Sequence, residues 1–428
     1  MSIRTIGVTN FKSFSELDVE LRPFNVLVGP NSAGKSSFVE IFRFLRDIAS
    51  EGLDNAISMQ GGVENIRNAR LGRDSNMTFR VSWDSDLELW GRHPGRGVKI
   101  RGVHYTFTLK FKQRTRGREF WIAQDSLKLD AVVQSEADSE AVVSREGSIR
   151  LTRLRQSTKG HYAVVIDPAL GLDLGSIVGF GDQTDFNNFS IGDRLLLEAP
   201  TALPFFFMQL GRGFGSWSDT LREVGVFDFD PKLAKRAVPL RGRRELEEDG
   251  SNLALVLRRI LKTQASARSF SNLISGLLPF VSEMSVKEYV DRSALLRCRE
   301  VYNDDYYVPG PLLSDGTVNV AALVVALYFE QNPLTIIEEP ERNLHPALVR
   351  QLVEMMRSAS EKNQILVTTH NPEFVKYSDL DDLLLVNRDP RGFSSIVRPS
   401  ESSMVQAFLE QDLGLDDLYV MNLLGSES

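Results

Sequence analysis

The sequence predicts an α/β protein with a mixed, largely parallel sheet at its core, an antiparallel meander and a helical insertion. Three observations carry this. In the last third, short apolar runs alternate with helix-spaced segments, as a parallel sheet buried on both faces requires. Between about 77 and 167 apolar and polar residues alternate strictly, the pattern of half-buried antiparallel strands. The first fifty or so residues run strand, glycine-rich loop, helix.

The 428 residues exceed one comfortable core, so several lobes are expected: 1–170, an inserted and partly helical 171–305, and 306–428. With 42% hydrophobic and 25% charged residues, the chain is neither collagen-like, nor mostly disordered, nor dominated by coiled coil. A net charge of −7 speaks against coating nucleic acid over the whole surface but leaves room for a local basic stripe. The single cysteine, Cys298, forms no internal disulfide, and no Cys/His cluster has zinc spacing. The longest purely apolar run, 320–329, is about half a membrane span, and the first residues lack a long apolar core. A cytoplasmic protein without membrane contact is expected.

In order, Ile3, Ile6 and Val8, then Leu17, Val19 and Leu21, then residues 24–28 predict three strands. Phe38, Ile41, Phe42 and Leu45 predict a helix over 36–48. Val103, Tyr105, Phe107, Leu109 and Phe111, followed by Leu127, Leu129 and Ala131, define the meander. Residues 170–250 show no clear periodicity; helical spacing returns at 253–261 and 270–278. A helix over about 318–330 is capped near Ser314 or Asp315. Strand 334–337, helix 347–359, strand 365–368 and strand 383–386 close the pattern.

Gly29-Pro-Asn31-Ser32-Ala33-Gly34-Lys35-Ser36 matches the phosphate-binding loop G-x-x-x-x-G-K-[ST], placed between a strand and a helix as its chemistry demands. Glycines let the backbone wrap a polyphosphate, and amide N–H groups with the helix N-terminus supply positive potential. Lys35 then neutralises β/γ-phosphate oxygens and Ser36 can ligate Mg²⁺. Residues 334–337 lead into Glu338-Glu339-Pro340, a strand ending in the carboxylates that a Mg²⁺ partner and a water-activating base require. Leu313-Ser314-Asp315-Gly316-Thr317 precedes a helix and reads either as an ordinary cap or as a helix N-terminus aimed at phosphate. His370 follows a strand, where it could sense a γ-phosphate.

As an ordered set these residues resemble the ATP-binding-cassette (ABC-type) ATPases, in the soluble branch of RecF, the SMC proteins and the overcoming-lysogenization-defect ATPases, including ATPase subunits of bacterial anti-phage defence. Asn10-Phe11-Lys12-Ser13-Phe14 looks like that branch's opening strand, and the segment from Glu339 to Pro346 like its extended Walker B and D-loop. The resemblance covers about 1–50 and 305–390 and implies a P-loop NTPase with an ABC-type head and a helical inserted lobe. It also implies ATP and Mg²⁺ as cofactors, and a homodimer, or a higher oligomer, with ATP sandwiched between phosphate loop and signature. By the same resemblance Asn31, Ser32, Ala33, Gly34, Lys35, Ser36 and Ser37 bind nucleotide, with Ser36 and Glu338 at the metal. Glu339 is the base, His370 the switch, and Ser314 with Gly316 serves the partner's nucleotide. Glu338 departs from the Asp that family transporters usually carry. Gln60, Gln156 and Gln183 are open candidates for the family's Q-loop.

Far more sequence separates Lys35 from Ser314 than compact cassettes place there; without heptads, a compact lobe is expected rather than an arm. On the meander, Arg92, Arg96, Lys99, Arg101, Lys110, Lys112, Arg114, Arg116 and Arg118 form a run without acids. Lys110, Lys112 and a hairpin tip of Arg114, Arg116 and Arg118 are candidates for double-stranded DNA binding, against a solvated edge or a dock for an acidic protein. Asp379, Asp381 and Asp382 superficially resemble a nuclease metal cluster, but they precede the last sheet strand. A separate effector, nuclease or toxin, is the expected partner. The functional expectation is an ATPase that switches DNA contact or that effector in anti-phage defence. The alternatives are a slowly hydrolysing scaffold and a RecF-like repair ATPase.

Overall fold

The computed structural model describes the chain except residues 73–74, 91–95, 112–119, 137–141, 154–160, 171–188, 191–194, 198–215, 304, 410–413, 422 and 424–428. Two compact units result: Met1–Leu21 with Ser36–Val224 and Arg388–Ile396, and Arg22–Lys35 with Gly225–Asn387 and Val397–Ser428.

The first unit holds an eight-stranded sheet. Strands β1 (Ser2–Phe11), β2 (Phe14–Glu20), β4 (Met77–Trp90), β5 (Arg96–Phe111), β6 (Phe120–Glu136), β7 (Val142–Arg153), β8 (His161–Ile166) and β9 (Phe189–Ser190) pair antiparallel in the order β2-β1-β4-β5-β6-β7-β8-β9. Alternation sets the register: Val103, Tyr105, Phe107 and Leu109 are buried while Lys110 is exposed. Helix α1 (Lys35–Glu51) lays Phe44 against Phe79 at 5.4 Å, and Phe79 stacks on Phe107 at 4.9 Å. Each such ring contributes about 1.5–3 kcal/mol by leaving water. The expected meander over 77–167 is present as β4 to β8.

The turn between β1 and β2 explains the Asn10–Phe14 motif. Asn10 (φ 57°) and Lys12 (φ 47°) are left-handed, and Asn10 fixes the bend by donating to the Ser75 carbonyl (2.8 Å) and accepting from the Asn68 amide (3.1 Å). Helix α2 (Leu53–Met59) ends at Gln60, whose amide joins Lys12 (2.9 Å) and Glu40 (2.8 Å).

The second unit is built on parallel strands in the order β10 (Gly225–Phe227), β15 (Leu334–Glu338), β16 (Gln364–Thr369), β3 (Phe24–Val28) and β17 (Leu383–Arg388). Residues 24–28 and 364–369 are buried throughout, hence the apolar runs 26–28 and 365–367, while buried Asn25 and Gln364 donate to the Arg22 carbonyl. Helix α8 (Asp315–Tyr328) is buried at every position from Thr317 to Leu327, so it is apolar all round rather than amphipathic. Ser314 is its N-cap, accepting from the Thr317 amide at 3.0 Å. Helices α6 (Leu253–Ile260) and α7 (Gln264–Leu277) pack in the same core as α8, as their spacing predicts. Three antiparallel strands not signalled by the sequence, β12 (Val281–Glu288), β13 (Ser293–Glu300) and β14 (Tyr307–Pro309), join them through Met284, Leu296 and Cys298.

Candidate functional site

Parallel registry decides where the chemistry sits. Phe227 pairs with Ile337, Glu338 with Thr368, and Thr369 with Val28. Asp228, Glu338-Glu339, His370 and Gly29 therefore leave four adjacent strands at one carboxyl edge, the place where open α/β sheets bind ligands.

The phosphate loop has the backbone its glycines foretell. A side chain at Gly29 would put its Cβ 2.6 Å from the Val386 carbonyl oxygen, and Gly34 sits at φ 123°. Ser32 is also left-handed, at φ 65°. Asn31 and Ser32 are exposed, Ala33 is buried, and Ser36 and Ser37 follow Lys35 directly in the first turn of α1. The Lys35 ammonium is buried inside the loop and donates to the carbonyls of Gly29 (2.6 Å) and Pro30 (3.1 Å). Burial lowers its pKa, opposed by the charges of Glu339, Glu341 and Glu338. One cation within the field of three carboxylates is the electrostatic centre of the site.

Glu339 adopts φ 47°, with its amide donating to the Thr368 carbonyl at 2.9 Å. Its Oε1 lies 2.9 Å from His370 Nδ1, and its Oε2 accepts from Arg342 Nη2 (3.0 Å) and Nε (3.3 Å). Burial pushes this carboxyl up, but the Arg342 hydrogen bond and the charges of His370 and Arg342 outweigh it, leaving the pKa lowered. Glu341, which the sequence reading did not single out, is buried and accepts from the Thr369 hydroxyl.

The segment after Glu339 is tied to α8. Asn319 is buried and donates to the carbonyls of Pro340 (3.1 Å) and Arg342 (2.8 Å). Gly316 presses against the same segment: an added Cβ would stand 2.7 Å from the Asn343 carbonyl oxygen. Half-exposed Gly316 thus neighbours Asn343, Ser314 is exposed at the helix cap, and Asp315 pairs with Lys235.

Other candidates fare differently. Among the DNA-binding candidates Lys110 is exposed on β5; Lys112, Arg114, Arg116 and Arg118 lie outside the described residues, as does Arg92. Lys99 pairs with Asp86 (3.1 Å) and Arg101 with Glu146 (3.2 Å). Gln156 and Gln183 also lie outside. Asp379 and Asp382 bind Arg357 (2.9 and 3.1 Å) and Asp381 binds Arg22 (3.0 Å), so this trio serves ion pairs. Among the described residues no group of three or more His, Cys, Asp or Glu is placed to hold a metal, and no helix is long and apolar enough to cross a membrane.

A family model described as "AAA domain, putative AbiEii toxin, Type IV TA system" matches residues 24–376. The chain belongs to that family. This AAA-family chain is a P-loop protein with a mixed α/β core. Among solved structures it is similar to the SMC head domain from Thermotoga maritima, at 13% identity over 93% of this chain and 99% of that one, TM-score 0.41. It is also similar to an Smc head bound to the C-terminal winged-helix domain of ScpA, at 13% identity over 93% and 98%, TM-score 0.46. A third is an Smc head with an extended coiled coil bound to the C-terminal domain of ScpA, derived from Pyrococcus furiosus, at 11% identity over 96% and 99%, TM-score 0.43. These likenesses are too distant to transfer residue roles. No curated protein matches the sequence.

What signal could have found the unforeseen residues differs for each. Glu341 and Arg342 lie inside a segment already marked by its motif, whereas Asp228 follows a short strand in sequence without clear periodicity.

Proposed function

We propose that this AAA-family chain binds ATP with Mg²⁺ at the carboxyl edge and hydrolyses it, dimerising around the nucleotide in the cytoplasm. The supporting observation is that strand registry brings the phosphate loop and the Glu338-Glu339 strand end to one carboxyl edge, with buried Lys35 in the field of Glu339, Glu341 and Glu338. The glycine cradle suits a polyphosphate, and the oxygen-only donors, Ser36 hydroxyl and Glu338 carboxylate, suit Mg²⁺ that keeps most of its waters. The metal, when bound, supplies charge neutralisation at the phosphates. Lys35 binds the phosphates, Asn31 to Ser37 wrap them, Glu339 takes the proton of the attacking water, and His370 steadies Glu339 Oε1. Ser314 and Gly316 serve the nucleotide of a second copy.

We place the cycle in anti-phage defence, where it switches DNA contact or a separate nuclease or toxin; the family description supports that setting. The slow scaffold is favoured by one observation: Glu339 has both oxygens engaged and a lowered pKa, which makes it a weak base. The test is Glu339→Gln with ATP and Mg²⁺, sized by light scattering. A stable ATP-bound dimer is expected; a monomer under saturating ATP contradicts the sandwich. Replacing Arg114, Arg116 and Arg118 by Glu should weaken duplex DNA binding more at low salt than at high salt, and equal affinity at both removes the basic tip as the DNA contact.

A further inference from the structure

We propose that Arg342 is the positioning residue for Glu339 and that Asp228 holds Arg342 in place. This rests on the reading of Glu339 as the base and adds two residues to it. The guanidinium spans both acids: Nε and Nη2 grip Glu339 Oε2 at 3.3 and 3.0 Å, while Nη1 reaches Asp228 Oδ1 at 2.9 Å. A rigid planar fork fixes direction as well as charge, which an ammonium cannot do equally well.

Both ends of the fork are anchored. Asp228 follows β10, whose Phe227 pairs with Ile337 of β15, so its carboxylate arrives beside Glu338-Glu339 by strand registry, and its amide donates to the Glu248 carbonyl at 2.9 Å. The Arg342 amide donates to the Glu339 carbonyl at 3.0 Å, and its own carbonyl accepts from buried Asn319 at 2.8 Å. Glu339 needs such help. It stands at φ 47°, a conformation non-glycine residues rarely hold, and His370 constrains only one of its oxygens. A surface ion pair of ordinary kind has one partner and no backbone anchor; this one has two acidic partners on two strand ends.

Arg342 touches no reacting atom in this scheme. It sets the direction from which Glu339 meets water, so its loss should slow turnover and spare ATP binding. Its side chain is 44% exposed, so truncation leaves the core intact.

The experiment uses the full-length chain and compares wild type, Glu339→Gln, Arg342→Ala, Arg342→Lys, Asp228→Asn and the Asp228→Asn/Arg342→Ala double variant. Steady-state ATP turnover, fluorescent-ATP affinity and melting temperature are measured for each. Arg342→Ala is expected to lower kcat by about 10–100-fold with KM and affinity unchanged. Lysine should restore part of it, Asp228→Asn should have a smaller effect, and the double variant should match Arg342→Ala alone. Wild-type or raised kcat in Arg342→Ala overturns the positioning role, as does a loss confined to KM or to melting temperature. If Glu339→Gln turns over like wild type, the reading of the base fails whatever Arg342→Ala does, and Arg342 has no base to position.

Discussion

Glu341 brings a carboxyl group into the core at 8% exposure, with one oxygen taking the Thr369 hydroxyl and Oε2 without a hydrogen bond. Burial pushes its pKa above the ordinary 4.5, and the Thr369 bond opposes this without cancelling it. The folded chain therefore holds this proton more tightly than the unfolded chain. The corresponding stability is present in full below 4.5 and is lost as pH rises through the folded value. Glu341→Gln keeps a partner for Thr369 but does not titrate. Its melting temperature relative to wild type should rise as pH climbs above 4.5 and then level off; an offset constant across pH contradicts the burial account.

At the scale of elements, helix α8 and the 339–343 segment act as one piece through Asn319 and Gly316. Asn319→Leu leaves the Pro340 and Arg342 carbonyls without their donor and should cost about 1–3 kcal/mol for each, read as a lower denaturation midpoint. Gly316→Ala forces a Cβ to within 2.7 Å of the Asn343 oxygen and should displace that segment, so ATP turnover falls along with stability. Unchanged turnover in Gly316→Ala would mean that the segment tolerates displacement. The helix itself is readable from its cap and apolar run, since both are local. Its depth is not: only the structure reveals that even Asn319 and Thr317 are buried. Strands β12 and β13 escaped the reading because Ser285, Lys287, Arg297 and Arg299 interleave with buried Met284, Leu296 and Cys298 over runs too short to announce a period.

For the whole molecule, what the sequence discloses is what neighbours in the chain decide. The phosphate loop and the Glu338-Glu339 strand end are each contiguous, so residue order alone points to them. Registry among β10, β15, β16 and β3 then brings His370 and Asp228 to the same edge, and Asp228 meets Arg342 across 114 positions, a pairing no periodicity encodes. Residues 112–119, where the basic hairpin tip is expected, lie outside the described part, so DNA contact rests on charge alone.

The most direct measurement is phosphate release from ATP by wild type and by the Glu339→Gln and Lys35→Ala variants, with Mg²⁺ present and nucleotide affinity recorded alongside. Hydrolysis by wild type is expected, with Glu339→Gln retaining ATP but slowed by several orders of magnitude and Lys35→Ala losing affinity. Undiminished phosphate release from Glu339→Gln, or ATP bound equally well without the Lys35 ammonium, would contradict the assignment of this sheet edge as the ATPase site.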